Sequence, residues 1–132
     1  MSTKSIAEKL QIKPSTAVWL SDAAHRARID PLPTGARVVD SMAQAGVALV
    51  FADSAASARA TLTAHRDQLA QPAALWVAYP KGNKADINRD SLWPILAEYG
   101  LRPISQVAID EVWSALRFRP LKDGEAPFNG EQ

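Results

Sequence analysis

The chain has 132 residues, of which 47% are hydrophobic and 22% charged, and its formal net charge is +1. That is enough apolar surface for one self-sufficient core, and it excludes disorder, collagen-like repeats and a coiled coil. The absence of cysteine excludes a disulfide framework, a thiolate zinc site and a catalytic thiol. The balanced charge disfavours nucleic acid as a partner.

Taken in chain order, residues 6–10 fit one short helix before Pro14, and Ala17-Val18-Trp19-Leu20 is a compact apolar run that reads as the first strand. A polar loop or short helix follows over Ser21–Arg28, then turn chemistry in Pro31-Leu32-Pro33-Thr34-Gly35, then a short second strand over Ala36–Asp40. Gly46 opens Val47–Ala52, which is apolar at every position, as a central strand covered on both faces would be. Asp53 or Ser54 is positioned to cap a helix over Ala55–Leu69, in which Ala58, Leu62, His65 and Leu69 share one face.

Pro72 closes that helix, and Ala74–Pro80 is a second uniformly apolar strand. The loop Lys81–Asn88 is polar, and a helix over Arg89–Tyr99 stops at Gly100, a residue suited to the left-handed position after a helix. Pro103–Asp110 and Val112–Arg119 close the chain as a hairpin. In the second of these, Val112, Ser114, Leu116 and Phe118 alternate with Trp113, Ala115, Arg117 and Arg119. Strands alternating with helices imply parallel strands joined by right-handed crossovers. The predicted fold is therefore a small three-layer, Rossmann-like α/β domain over residues 1–120, with a parallel core, a C-terminal antiparallel hairpin and a tail over residues 121–132.

No run approaches the ~20 apolar residues of a membrane span, and the first ten residues lack the apolar segment of a secretory signal. The expectation is a cytoplasmic protein. His25 and His65 stand far apart without ligand-like spacing, so no metal is expected.

In open α/β sheets ligands bind beyond the carboxyl ends of the strands. Three loops supply that edge: Ser21–Arg28, Asp53-Ser54 and Lys81–Arg89. In the third, Lys81, Asn83 and Lys84 flank Gly82 ahead of a helix start, and Arg89 follows. This combination suits a small anion, and it equally suits a solvated loop with Asp86 or Asn88 as a helix cap. Trp113 and Arg117 fall on one face of the last strand, with Arg119 extending the row. They could stack on and fork around a planar or anionic ligand, or pack as a Trp under Arg stems. Asp22, His25, Asp86, Asp90 and Asp110 are the acid–base candidates, but no two stand at a catalytic spacing. Serines 21, 54, 91 and 114 lack a nucleophile elbow, and there is no P-loop or G-x-G-x-x-G pattern.

The order from Val47 to Arg119 resembles the C-terminal half of class I S-adenosylmethionine methyltransferases, and Ile12-Lys13-Pro14 resembles the lead into their first strand. That resemblance implies a Gly-rich cofactor loop after the first strand and an acidic residue after the second. Asp40 matches the acid, but Leu20-Ser21-Asp22-Ala23-Ala24-His25 contains no glycine, and each Cβ there takes space the cofactor would need. The blocks Leu75–Lys81, Asp86–Asp90 and Trp113–Phe118 resemble a bacterial family of unknown function over about Ala7 to Pro120. The resulting expectation is a non-enzymatic or degenerate module without a cofactor, taking a small anionic ligand or a protein partner, a second copy of the chain included. Its alternative is a small, divergent methyltransferase-like enzyme acting as an oligomer.

Overall fold

The computed structural model describes residues 6–30, 32–69, 71–81, 87 and 89–121. Six strands form one sheet: β1 (Ala17–Leu20), β2 (Arg37–Val39), β3 (Val47–Phe51), β4 (Ala74–Pro80), β5 (Leu101–Ala108) and β6 (Trp113–Pro120). Their spatial order is β2-β1-β3-β4-β6-β5. Strands β2, β1, β3 and β4 pair in parallel, whereas β6 runs antiparallel to both β4 and β5. The predicted mixed Rossmann-like sheet is present, with its closing hairpin. From β1 the chain steps outward to β2, then returns to lay β3 on the opposite flank of β1. The strand order therefore switches direction between β1 and β3.

Successive side chains of a strand point to opposite faces, so a strand covered on both faces is apolar throughout. That is why β3 and β4 read as unbroken hydrophobic runs. On one face, Ala48, Val50, Leu75, Val77, Leu116 and Phe118 form a core with Leu62 of α2 (Ala55–Ala64) and with Leu92 and Leu96 of α3 (Arg89–Ala97). On the other, Val18, Leu20, Leu49, Trp76, Ala78 and Ala115 form a second core with Ala7 of α1 (Ile6–Lys9), Leu10, Ile12 and Ile29. Trp76 ties the second layer down, because its indole N–H donates to the Leu10 carbonyl at 3.0 Å inside that core.

Helix α2 is shorter than its sequence pattern predicts. Ser54 caps it by accepting from the Ser57 N–H, and the Ser57 hydroxyl accepts from the Ser54 N–H in return. The helix ends at Ala64 because His65 leaves the helical conformation (φ −116°, ψ 21°), and its ring meets Trp19 edge-on at 4.7 Å. A 3-10 turn, Arg66–Gln68, then delivers Leu69 into the core, so the predicted apolar face survives the break. A further 3-10 turn over Met42–Gln44, not foreseen from the sequence, buries Met42.

Gly100 takes a positive φ of 77°, a conformation that penalises any Cβ, and lets β5 begin at Leu101 directly after α3. Pro103 is tolerated in β5 because that strand forms the sheet edge, and the register shifts between Pro103 and Ser105. Strand β6 ends at Pro120; from residue 122 the expected tail lies outside the described residues.

Replacing Trp76 by Phe removes the donor and leaves the buried Leu10 carbonyl without it. The expected loss is about 1–3 kcal/mol of unfolding free energy, read from urea denaturation, with the far-ultraviolet circular dichroism unchanged.

Candidate functional site at the carboxyl edge

The carboxyl ends of β1 to β4 and the turn between β5 and β6 meet at one edge of the sheet. In folds of this type the crevice forms where the strand order reverses, here between β1 and β3. Ser21, the first residue after β1, bridges the two strands. Its N–H donates to the Leu49 carbonyl at 2.9 Å, and its hydroxyl accepts the Phe51 N–H at 2.8 Å. Asp22 caps the next turn, Ala23–Arg28, by accepting the Ala24 N–H at 3.0 Å.

That turn carries His25 across the end of β3. The imidazole stacks on Phe51 with ring centroids 4.2 Å apart and planes 10° from parallel. Trp113 meets His25 edge-on at 5.1 Å and Phe51 edge-on at 5.3 Å, which closes an aromatic triad. Trp113 is only 8% exposed.

Arg28 fastens the triad. Its Nε–H donates to His25 Nδ1 at 2.9 Å, and its Nη1 donates to Asp110 Oδ2 at 2.7 Å. Its guanidinium carbon also lies 5.7 Å from the centre of the Trp113 ring. The other Asp110 oxygen accepts the N–H groups of Val112 and Trp113, both at 2.8 Å, which sets the hairpin turn. Accepting a hydrogen bond at Nδ1 places the His25 proton on Nε2, which points toward Asp22 Oδ2 at 3.8 Å. The imidazole is thus neutral, and its basic nitrogen is already engaged.

The sequence-predicted residues fall in different places. Lys81 follows β4 at this edge, half-buried, with its N–H donating to the Val112 carbonyl at 2.7 Å. Asn83 and Lys84 lie outside the described residues, as do Asp86 and the Arg89 and Asp90 side chains; Arg89 is the first residue of α3. Trp113 belongs to the aromatic triad. Arg117 shares its face of β6, but Ala115 stands between them, and four strand residues span about 13 Å. Arg117 instead donates from Nη2 to the Ala73 carbonyl at 3.2 Å, near the opposite edge of the sheet. Among the described residues no three His, Asp or Glu side chains gather to hold a metal, and no helix is long and apolar enough to cross a membrane.

Sequence reasoning singled out Asp22, His25, Asp110 and Trp113 separately, and it missed Arg28 and Phe51 as their connectors. The available signals were the spacing of Arg28 three residues after His25 and the position of Phe51 at the end of an apolar run.

The fold recurs in known structures. A Streptococcus agalactiae protein of the NADB-Rossmann superfamily matches with a TM-score of 0.56 at 9% identity, over 98% of this chain and 71% of that one. The Bacillus subtilis tRNA methyltransferase TrmK matches with a TM-score of 0.52 at 12% identity, over 92% and 68%. Magnesium protoporphyrin IX methyltransferase from Synechocystis, solved with S-adenosylhomocysteine bound, matches with a TM-score of 0.50 at 7% identity, over 86% and 77%. No family model and no curated protein matches the sequence. The chain therefore has the Rossmann-like fold that S-adenosylmethionine methyltransferases share.

The triad has a titration signature. Burial holds the His25 imidazole below its ordinary value of 6.5, and Arg28 acts in the same direction against the pull of Asp22 and Asp110. Burial alone would raise the Asp110 carboxyl; the Trp113 and Val112 N–H groups and then Arg28 outweigh it and lower it below 3.8. A group depressed in the folded state stabilises the fold above its unfolded pKa and ceases to do so as pH falls through its folded one. The His25 contribution is therefore complete above 6.5 and declines through the weakly acidic range. In thermal melts from neutral pH down to about 5, His25→Gln should flatten the pH dependence of Tm relative to the parent protein. Parallel curves would contradict this assignment.

Proposed function

We propose that this protein is a binding module built on a methyltransferase-like fold. In this reading it takes a small anionic ligand or a protein partner at the carboxyl edge and transfers no methyl group. The observation that carries the reading is the His25–Phe51–Trp113 triad. A cofactor seated at the switch between β1 and β3 needs the backbone after β1 to come close to it, which a glycine-rich turn permits. Here Ser21 is bonded to β3, the following residues all carry side chains, and the His25 ring lies flat on the last residue of β3. These residues do not fit an adenosyl group. The neutral His25, with Nδ1 engaged by Arg28, is likewise poorly disposed to act as a general base.

The ligand would then be met by the basic stretch after β4, where Lys81 lies beside the hairpin turn and the sequence continues through Gly82, Asn83 and Lys84 to Arg89, the first residue of α3.

A second reading is a divergent methyltransferase-like transferase acting as an oligomer, with Asp22, His25, Asp86 and Asp110 as its acid–base groups. The fold likeness to S-adenosylmethionine methyltransferases favours this reading over the first. So does Asp40, which directly follows β2, where that family has its acidic residue. The side-chain geometry at the switch point favours the module.

Isothermal titration with S-adenosylmethionine separates the two readings. The module predicts no saturable binding tighter than about 1 mM; micromolar binding would establish the transferase reading in its place.

A further inference from the structure

The His25 ring is held by a bond that only its neutral form can make. Arg28 Nε–H donates to His25 Nδ1 at 2.9 Å, so Nδ1 must keep its lone pair. In the imidazolium both ring nitrogens carry a hydrogen and act as donors. A proton taken from solvent onto Nδ1 therefore sets two donors, on two cations, face to face. The bond to Arg28 and the charged form of His25 exclude each other.

Which partner yields follows from how each is anchored. Arg28 remains bonded through Nη1 to Asp110 Oδ2 at 2.7 Å, and Asp110 is itself fixed by the Val112 and Trp113 N–H groups. The free end of the imidazole points the other way. Its Nε2 stands 3.8 Å from Asp22 Oδ2, an attraction that charging strengthens. The His25 side chain is 18% exposed and that of Asp22 is 60% exposed, so a ring drawn toward Asp22 moves toward water, which a charged group favours.

Among the described residues, the charged groups acting on the ring are Asp22 and Arg28 from its own turn and Asp110 from the hairpin. The β3 and β6 strands present the uncharged Phe51 and Trp113 to it. Burial opposes the charged form most and Arg28 adds to it, against Asp22 and Asp110, so the ring takes up its proton below 6.5.

We propose that His25 is an acid-released latch on the switch point: protonation breaks its bond to Arg28 and carries the ring off Phe51 toward Asp22, uncovering the Phe51 and Trp113 rings. In neutral solution the latch is closed; in weakly acidic solution it opens while Arg28 stays on Asp110. The latch goes beyond both functional readings and rests on neither, because it follows from bonds within the chain alone.

Nuclear magnetic resonance of the full chain, from neutral pH down to about 5, tests it. Nuclear Overhauser contacts between the His25 and Phe51 rings should be lost, and the Arg28 Nε–H resonance should shift, both with the midpoint of the His25 titration. The Trp76 indole N–H resonance should stay in place, which separates opening of the latch from unfolding. His25→Gln keeps an acceptor for Arg28 without a titrating group, so the Arg28 resonance should then be independent of pH. Asp22→Asn removes an attraction for the charged ring and should lower the midpoint. Ring contacts with Phe51 that persist while His25 titrates would overturn the proposal. So would a ring that stays neutral throughout this range, or an Arg28 shift that survives in His25→Gln.

Discussion

Arg28 connects parts of the chain that would otherwise be independent. One nitrogen of its guanidinium is given to His25 and another to Asp110, 82 residues further along. That bridge fixes the turn after β1 to the turn before β6, and the aromatic triad forms in the gap between them. An ion pair of this kind, about one-third exposed on both sides, contributes little stability by itself, on the order of 1 kcal/mol or less. Its importance is geometric. It orients the imidazole over Phe51 and selects the tautomer with Nδ1 as acceptor. The same carboxylate shapes the hairpin turn through two backbone N–H groups.

The fold explains why that gap matters. A parallel sheet whose order reverses between β1 and β3 has one place where two loops diverge and leave a crevice. In this chain the first element after β1 is a six-residue 3-10 turn, Ala23–Arg28, rather than a long helix. That turn keeps its side chains close to the strand ends: Ser21 is bonded to Leu49 and Phe51, and the His25 ring lies on Phe51. The Rossmann-like architecture is thus combined with a switch point at which Ser21 and His25 both contact Phe51.

Much of the architecture was legible in the sequence, for identifiable reasons. Val47–Phe51 and Ala74–Pro80 are apolar at nearly every position because helices and turns cover both faces of the sheet. The period-two pattern from Trp113 to Arg119 announced the hairpin, and Gly100 marked a helix end that only a left-handed residue could make. The early end of α2 was not legible, because His65 leaves the helix to meet Trp19, a contact decided by tertiary packing. The site was legible only in pieces. Trp113 and Arg117 share a face, as their spacing implies, yet one is enclosed by His25 and Phe51 while the other reaches Ala73. Which neighbour a strand residue meets depends on sheet order, and local spacing does not encode that order. The Arg28–Asp110 bridge is a long-range pairing of the same kind.

In the proposed reading the switch point between β1 and β3 is closed by side chains rather than shaped for a nucleoside. The most direct measurement is a crystal structure grown in excess S-adenosylhomocysteine. The His25 ring should lie on Phe51 with Arg28 joined to Asp110, and no adenosine density should stand between Ser21 and Phe51. An adenosyl group seated there, with His25 displaced from Phe51, would contradict it.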